Sequence, residues 1–192
     1  LDQALALAER TTDADRLADA LDAVGMLAYT LKLFRDEGRW DEIDARFSRA
    51  LEHARDDGRR ATIRFHLGLV RQMQGDLTAA GKQFEASLAL ARASGTGPIE
   101  GEDLRHLAYL AARGGDRARA ISLQRDSLRV RQRIGNPPGV ATAHLALGDL
   151  YMEAGDQASA RHHLTSAYQL SRRLGLGYAE IASAAALARL EA

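Results

Sequence analysis

Residues 144–170 read HLALGDLYMEAGDQASARHHLTSAYQL, which predicts two helices joined by a turn at Gly155-Asp156. The same arrangement occurs three times before this segment, and four turn glycines mark the copies: Gly38, Gly75, Gly115 and Gly155. Their spacings are 37, 40 and 40 residues. A period in the thirties to low forties is typical of a helical solenoid, in which each copy buries its apolar face against its neighbours.

Residues of fixed type recur at fixed offsets in these copies. The small residues are Gly68, Ala108 and Gly148 on the first helices, and Ala80, Ala120 and Ala160 on the second helices. Small side chains let two antiparallel helices pack closely, and larger ones at Phe47, Phe84 and Leu164 fill the space between copies. The third copy departs from this pattern with Gln124 at the Phe or Leu position, and the first with Leu31 at the small position.

In its residue types and offsets, the chain resembles the tetratricopeptide repeat (TPR) family. The fourth copy carries the pattern most completely, with Leu147-Gly148, Tyr151, Ala160, Leu164 and Ala167. The resemblance implies an all-α fold, a right-handed α-solenoid of antiparallel helix hairpins. We expect one domain over 1–192, with repeats at about 24–60, 61–100, 101–140 and 141–180 and partial repeats at 1–23 and 181–192.

The second helix of each repeat is longer than a 34-residue TPR requires. This long form resembles the C-terminal sensor arrays of bacterial signal-transduction ATPases and of LuxR-like regulators of actinobacteria. The resemblance implies a binding module, the sensor or interaction part of a cytoplasmic regulator, and not an enzyme. Two alternatives stay open: a structural module that docks on an ATPase or effector domain of the same protein, and a groove that senses a small molecule.

The pattern predicts ten helices, over 1–10, 15–36, 41–56, 60–74, 78–93, 102–113, 117–134, 140–154, 158–174 and 178–191. We expect Thr12 to open the second of these with a capping box. The turn glycines are predicted to end the first helix of each repeat in a left-handed conformation. The predicted caps of the second helices are Asp41, Asp76, Asp116 and Asp156.

The amino-acid composition excludes several classes of function. The 26 basic and 26 acidic residues cancel, so no net charge points to nucleic acid or an anionic membrane. The absence of Cys excludes disulfides and thiol catalysis, and it suits a cytoplasmic protein. The chain begins at Leu1 without Met, and its last helix has no partner helix, so we expect a fragment of a longer protein. Self-association through the apolar face of that helix, which includes Ile181 and Leu187, is a further expectation.

First helices line the concave face of TPR arrays, and this resemblance gives a candidate groove for a protein or peptide partner. Its predicted residues are Phe65, Leu69, Gln72, Met73, Arg105, Tyr109, Arg113, Asp149, Met152 and Glu153. Phe65, Leu69 and Met73 share one helix face and are predicted to form an exposed apolar stripe. With Arg105 and Arg113 beside it, this stripe suits a partner segment that carries an acidic group.

No motif for catalysis, a cofactor or a metal is present in the sequence. His162 and His163 are adjacent and diverge around a helix, so we expect exposed or partly packed histidines and no metal site. The arginines of residues 125–133 lack the interleaved aromatic residues that stack on bases. We therefore predict that this run is a solvated helix face and that the protein does not bind nucleic acid directly.

Overall fold

The computed structural model describes residues 12–191 together with Ala6 and Arg10, and in this part of the chain it contains nine α-helices and no strand. The helices are α1 (Ala14–Arg35), α2 (Trp40–His53), α3 (Asp57–Met73), α4 (Leu77–Ser94), α5 (Gly97–Arg113), α6 (Arg117–Arg133), α7 (Pro137–Glu153), α8 (Gln157–Leu174) and α9 (Gly177–Glu191). Two to four residues separate consecutive helices, and within each unit such short loops favour antiparallel packing of neighbouring helices. The all-α solenoid class is thereby confirmed, while the predicted helix over 1–10 lies almost entirely outside the described residues.

The chain divides into two compact units, Leu1–Ile99 and Glu100–Ala192. The first unit holds α1 to α4. The second holds α6 to α9 and nearly all of α5, which begins at Gly97. A single domain over 1–192 stays a prediction, and each unit is described by itself below.

Glycines allow the closest helix crossings within the hairpins. A Cβ atom at Gly68 on α3 would overlap the ring of Phe84 on α4. A Cβ atom at Gly148 on α7 would lie 2.5 Å from Cγ of Leu164 on α8. Both large side chains are fully buried. The close approach predicted at the small residues is therefore confirmed in these two hairpins, whereas Phe84 and Leu164, predicted to fill the space between copies, pack against these glycines within the hairpin.

In the first hairpin the predicted register is wrong, because Gly25 and not Leu31 faces Phe47. A Cβ atom at Gly25 would lie 2.6 Å from the Phe47 ring. Gly25 precedes Phe47 by 22 residues, whereas Gly68 precedes Phe84 by 16. The difference arises because α1 runs ten residues past Gly25, while α3 runs five past Gly68, and the turn after α1 is one residue longer.

Three of the four predicted aspartate caps are confirmed. The side chains of Asp76, Asp116 and Asp156 each accept a hydrogen bond from the backbone N–H three residues later, at 2.8–3.0 Å. The prediction for Asp41 is wrong, because Arg39 occupies the N-cap position and its guanidinium binds the Asp41 carboxylate.

Several helix starts differ from the predicted ones, and α3 begins at Asp57, three residues before its predicted start. Asp13, not Thr12, caps α1 and accepts from the N–H groups of Asp15 and Arg16. The helix α5 begins at Gly97 and α7 at Pro137, both within segments predicted as connections. Proline is compatible with a first helical turn because the N–H it lacks has no partner there, so Pro98 and Pro137 belong to these helices.

Candidate functional site

A groove of about 290 Å³ lies in the second unit along α5, α6 and α7. Its lining residues are Arg105, Ala108, Tyr109, Ala112, Gln124, Ala146, Asp149, Leu150 and Glu153. We call it the Tyr109 groove, after the aromatic residue on its wall. The structure thus brings four of the predicted site residues together: Arg105, Tyr109, Asp149 and Glu153.

The floor of the Tyr109 groove is largely apolar and is held in place by helix packing. Alanines from α5 and α7 supply much of it, and their small side chains leave the space open. On α6, the buried hydroxyl of Ser127 donates a 2.7 Å hydrogen bond to the backbone carbonyl of Gly101 on α5. This bond fixes α6 against the helix that carries Arg105 and Tyr109.

Gln124 is the one floor residue with an amide side chain, and sequence reasoning did not place it in the site. Only 2% of this residue is exposed. Its Nε2 donates over a long 3.5 Å to the backbone carbonyl of Ala143, and no bond from a described residue reaches its Oε1. The available signal was its departure from the Phe or Leu of the other repeats.

The Arg105 guanidinium on the wall is already engaged by its own helix. Its Nε lies 2.9 Å from a carboxylate oxygen of Glu102, and its Nη2 donates to Nε2 of His106 at 2.5 Å. Burial lowers the pKa of His106 to about 3, and the charges of Arg105 and Arg131 add to this effect. The histidine is therefore a neutral acceptor, and Arg105 shares the Glu102 carboxylate with Arg131.

The two carboxylates of the groove, Asp149 and Glu153, lie one turn apart on α7. Within the described part of the chain, neither forms an ion pair. Desolvation by the surrounding protein raises the pKa of Asp149, Arg189 opposes this rise, and Glu153 adds to it. Neither carboxylate has an ion-pair partner among the described residues, so their oxygens stay available as hydrogen-bond acceptors on the groove wall.

The remaining predicted residues do not line the Tyr109 groove. Arg113 is exposed and Met152 half-buried. In the first unit, Leu69 and Gln72 are half-buried and Met73 is exposed. Their roles in binding a partner stay predictions.

The prediction of an exposed apolar stripe is wrong at Phe65. Its ring is 8% exposed and packs against Phe84 at a centroid distance of 5.9 Å. Phe84 in turn fills the space over Gly68, so Phe65 belongs to the core of the first unit.

The arginine run on α6 is not uniformly solvated, because Arg131 is buried. This guanidinium lies 2.7 Å from a carboxylate oxygen of Glu102 and donates at 2.9 Å to both the Gly139 carbonyl and the Thr142 hydroxyl. Arg125 and Arg129 are exposed as predicted, and Arg129 pairs with Asp126. Arg125 and Arg129 therefore lie on the exposed face of α6 and Arg131 on its buried face, so the run does not form one solvated surface.

Three histidines of the second unit come together on α7 and α8. Nδ1 of His144 and Nδ1 of His163 are 2.9 Å apart, and Tyr151 stacks on the His163 ring at 5.5 Å. The third, His162, contacts the edge of the same ring. Among residues 12–191, no group of three or more His, Cys, Asp or Glu side chains has the arrangement of a metal site.

This cluster predicts acid sensitivity of folding. Burial, followed by the charges of His144 and His162, lowers the pKa of His163 from 6.5 to about 4. The unfolded chain therefore binds more protons between these two values, and stability is lost as the pH falls through this window. We expect urea unfolding to show a loss of up to about 1.4 kcal/mol per pH unit from this residue.

The variant His163→Gln should reduce the difference in unfolding free energy between about pH 7 and about pH 5. His53→Gln, in the first unit, controls for the loss of one histidine. An identical pH dependence in wild type and His163→Gln would contradict the assignment.

The last helix, α9, exposes apolar side chains. Ile181 is 73% exposed, Ala184 and Ala188 are exposed, and Leu187 is half-buried. Self-association through this face stays a prediction. None of the described helices combines the length and apolar composition needed to span a bilayer.

A family model described as MalT-like TPR region matches residues 27–192 of the chain. Among curated proteins, none matches by sequence.

Several solved structures share the fold. BtubC (BKLC) from P. vanneervenii superimposes with a TM-score of 0.73 and 18% identity, over 99% of this chain and 89% of that one. Aspartyl phosphate phosphatase F from Bacillus subtilis gives 0.80 and 14%, over 92% of this chain and 47% of that one, about half its length. A putative kinesin light chain with TPR-like repeats from Podosopora anserina gives 0.71 and 15%, over 94% and 87%. At these identities the similarity concerns the fold alone.

Proposed function

The chain belongs to the MalT-like TPR family, and we propose that it is a binding module that holds a peptide segment of a protein partner in the Tyr109 groove. The observation that carries this proposal is the groove itself, a concave site with a 44% exposed tyrosine beside a floor of alanines. Tyrosine is enriched among the residues that dominate binding energy, since it offers a large apolar face at a small cost in side-chain entropy.

The architecture supports recognition by a preformed surface. The groove is built on three helices, and the buried Ser127 hydrogen bond restrains two of them. A preformed site lowers the entropy cost of binding, so a short segment can be held by few contacts. In this groove those contacts are Tyr109, the apolar floor and the carboxylates of Asp149 and Glu153.

We assign this binding to the sensor or interaction part of a cytoplasmic regulator. The match to MalT-like TPR regions and the repeat spacing of 40 residues support this assignment. The full-length sequence tests it, because a nucleotide-binding or effector domain in the same protein is expected. Should the gene encode an isolated array, the regulator assignment fails while the binding role stands.

Selection of peptides from a random display library against the chain tests the binding role. We expect selected peptides to bind the wild type and to lose about tenfold or more in affinity for Tyr109→Ala, the loss expected for a hot-spot residue. Fluorescence anisotropy with a labelled peptide measures this loss, and thermal melting establishes that the variant is folded.

Tyr178→Ala is the matched control, because Tyr178 lies in the same unit, is 83% exposed and does not line the groove. Its affinity should equal that of the wild type. Peptides that bind independently of Tyr109 and need Tyr178 would overturn the proposed site.

A further inference from the structure

Gln124 occupies a position where the neighbouring hairpins have a buried apolar side chain. Its equivalents are Phe84, 40 residues earlier, and Leu164, 40 residues later, and both are fully buried. Burying an amide at such a position is costly unless its polar atoms find partners. In Gln124 the Nε2 makes one long contact, and Oε1 receives no bond from a described residue. Since Gln124 lines the Tyr109 groove, an occupant of the groove can supply the missing donor.

The other polar groups of the groove set the charge of that occupant. Asp149 and Glu153 are hydrogen-bond acceptors without an ion-pair partner among the described residues, whereas the Arg105 guanidinium is held on its own helix by Glu102 and His106. A cation also gains from the electron-rich face of an aromatic ring such as Tyr109. Acceptors, negative charge and an aromatic face all favour a positively charged donor, and they disfavour the acidic group that the sequence predicted.

We propose that the Tyr109 groove takes the basic side chain, arginine or lysine, of a bound peptide, and that Gln124 Oε1 accepts a hydrogen bond from it at the groove floor. Asp149 and Glu153 hold the charge at the rim. This inference rests on the proposed function and specifies the chemistry of the partner. Arg189 is the nearby cation that acts on Asp149. It does not line the groove, so it does not occupy the space in which the basic side chain of the peptide would bind.

NMR titration of the chain with N-acetyl-L-arginine amide tests the proposal directly. The matched probe is N-acetyl-L-citrulline amide, which has nearly the same shape and no charge, and N-acetyl-L-glutamate amide supplies the opposite charge. We expect saturable shifts of the Gln124 side-chain amide with the arginine probe, and binding about tenfold weaker with citrulline. Absence of saturable shifts up to the solubility limit of the arginine probe, or equal binding of the glutamate probe, would overturn it.

Two variants locate the interaction. Gln124→Met keeps an unbranched, adaptable side chain and removes the acceptor. Leucine is avoided because Ala108 occupies the position equivalent to Gly148, where a Cβ atom would lie 2.5 Å from Cγ of Leu164. Asp149→Asn removes one rim charge. Each should weaken the arginine probe about fivefold or more, while Tyr178→Ala leaves it unchanged. Unaltered binding by both variants would show that the cation binds elsewhere.

The display selection separates this inference from the proposed function. Selected peptides that need Tyr109 but contain no arginine or lysine would refute the basic side chain and leave the peptide-binding role intact. Peptides that do contain one should lose about tenfold in affinity when that arginine is replaced by citrulline. If no selected peptide depends on Tyr109, the proposed function itself fails.

Discussion

The variant Phe84→Ala should lower the free energy of unfolding by about 3–5 kcal/mol, the cost of emptying a fully buried aromatic site. Gly68→Ala should lower it by about 1–3 kcal/mol, because the new methyl group overlaps the Phe84 ring and overpacks the crossing of α3 and α4. Urea unfolding followed by circular dichroism measures both changes.

The double variant distinguishes this packing from two independent effects. In Gly68→Ala with Phe84→Ala, the added methyl group enters the space that the ring has left and no longer meets it. The loss should therefore be smaller than the sum of the two single losses, by about 1 kcal/mol or more. A strictly additive result would show that Gly68 and Phe84 do not meet as the structure has them.

Gly177→Ala serves as the control for replacing a helical glycine. Gly177 is the first residue of α9, and a Cβ atom there has nothing within 4 Å. We expect its unfolding free energy to be unchanged or slightly raised, since alanine restricts the unfolded chain more than glycine does. A loss as large as that of Gly68→Ala would indicate a general intolerance of the glycine substitution.

The sequence allowed the hairpins to be predicted because their contacts are local and repeat at fixed offsets. The crossings of Gly68 with Phe84 and of Gly148 with Leu164 share the same sequence offset. The offset differs in the first hairpin, where α1 is longer and Gly25, instead of the predicted Leu31, contacts Phe47. No single residue type in the sequence indicates that a helix is longer than its equivalents in the other repeats. The longer helix shifts the register of the crossing without altering the amphipathic pattern.

The candidate site was harder to predict, because exposure and charge pairing depend on the side chains of other helices. Helical spacing put Phe65 and Tyr109 on comparable faces, yet the first is buried against Phe84 and the second is half-exposed. Arg105 was predicted as an anion-binding group, but Glu102 on the same helix already binds it. Gln124 was visible as a departure from the repeat, and only its burial at the groove floor gave it a role.

The buried pair of Arg131 and Glu102 leads to an asymmetric prediction. Only 3% of Arg131 is exposed, whereas the Glu102 side chain is 35% exposed and also binds Arg105. Glu102→Gln leaves a buried guanidinium without its counter-charge, and we expect a loss of about 3 kcal/mol, at the low end for a broken buried pair. Arg131→Met removes the buried charge and leaves the carboxylate to water and Arg105, so the loss should be about 1 kcal/mol.

Urea unfolding of both variants and of their combination tests this asymmetry. In the combined variant the methionine has no charge to compensate, so the glutamine should cost little beyond the loss from Arg131→Met alone. The order of the two single losses is the decisive observation, since an ordinary surface ion pair would give small and similar losses on removal of either partner. A larger loss for Arg131→Met than for Glu102→Gln would mean that the Arg131 hydrogen bonds to Gly139 and Thr142, and not its charge, dominate its contribution to stability.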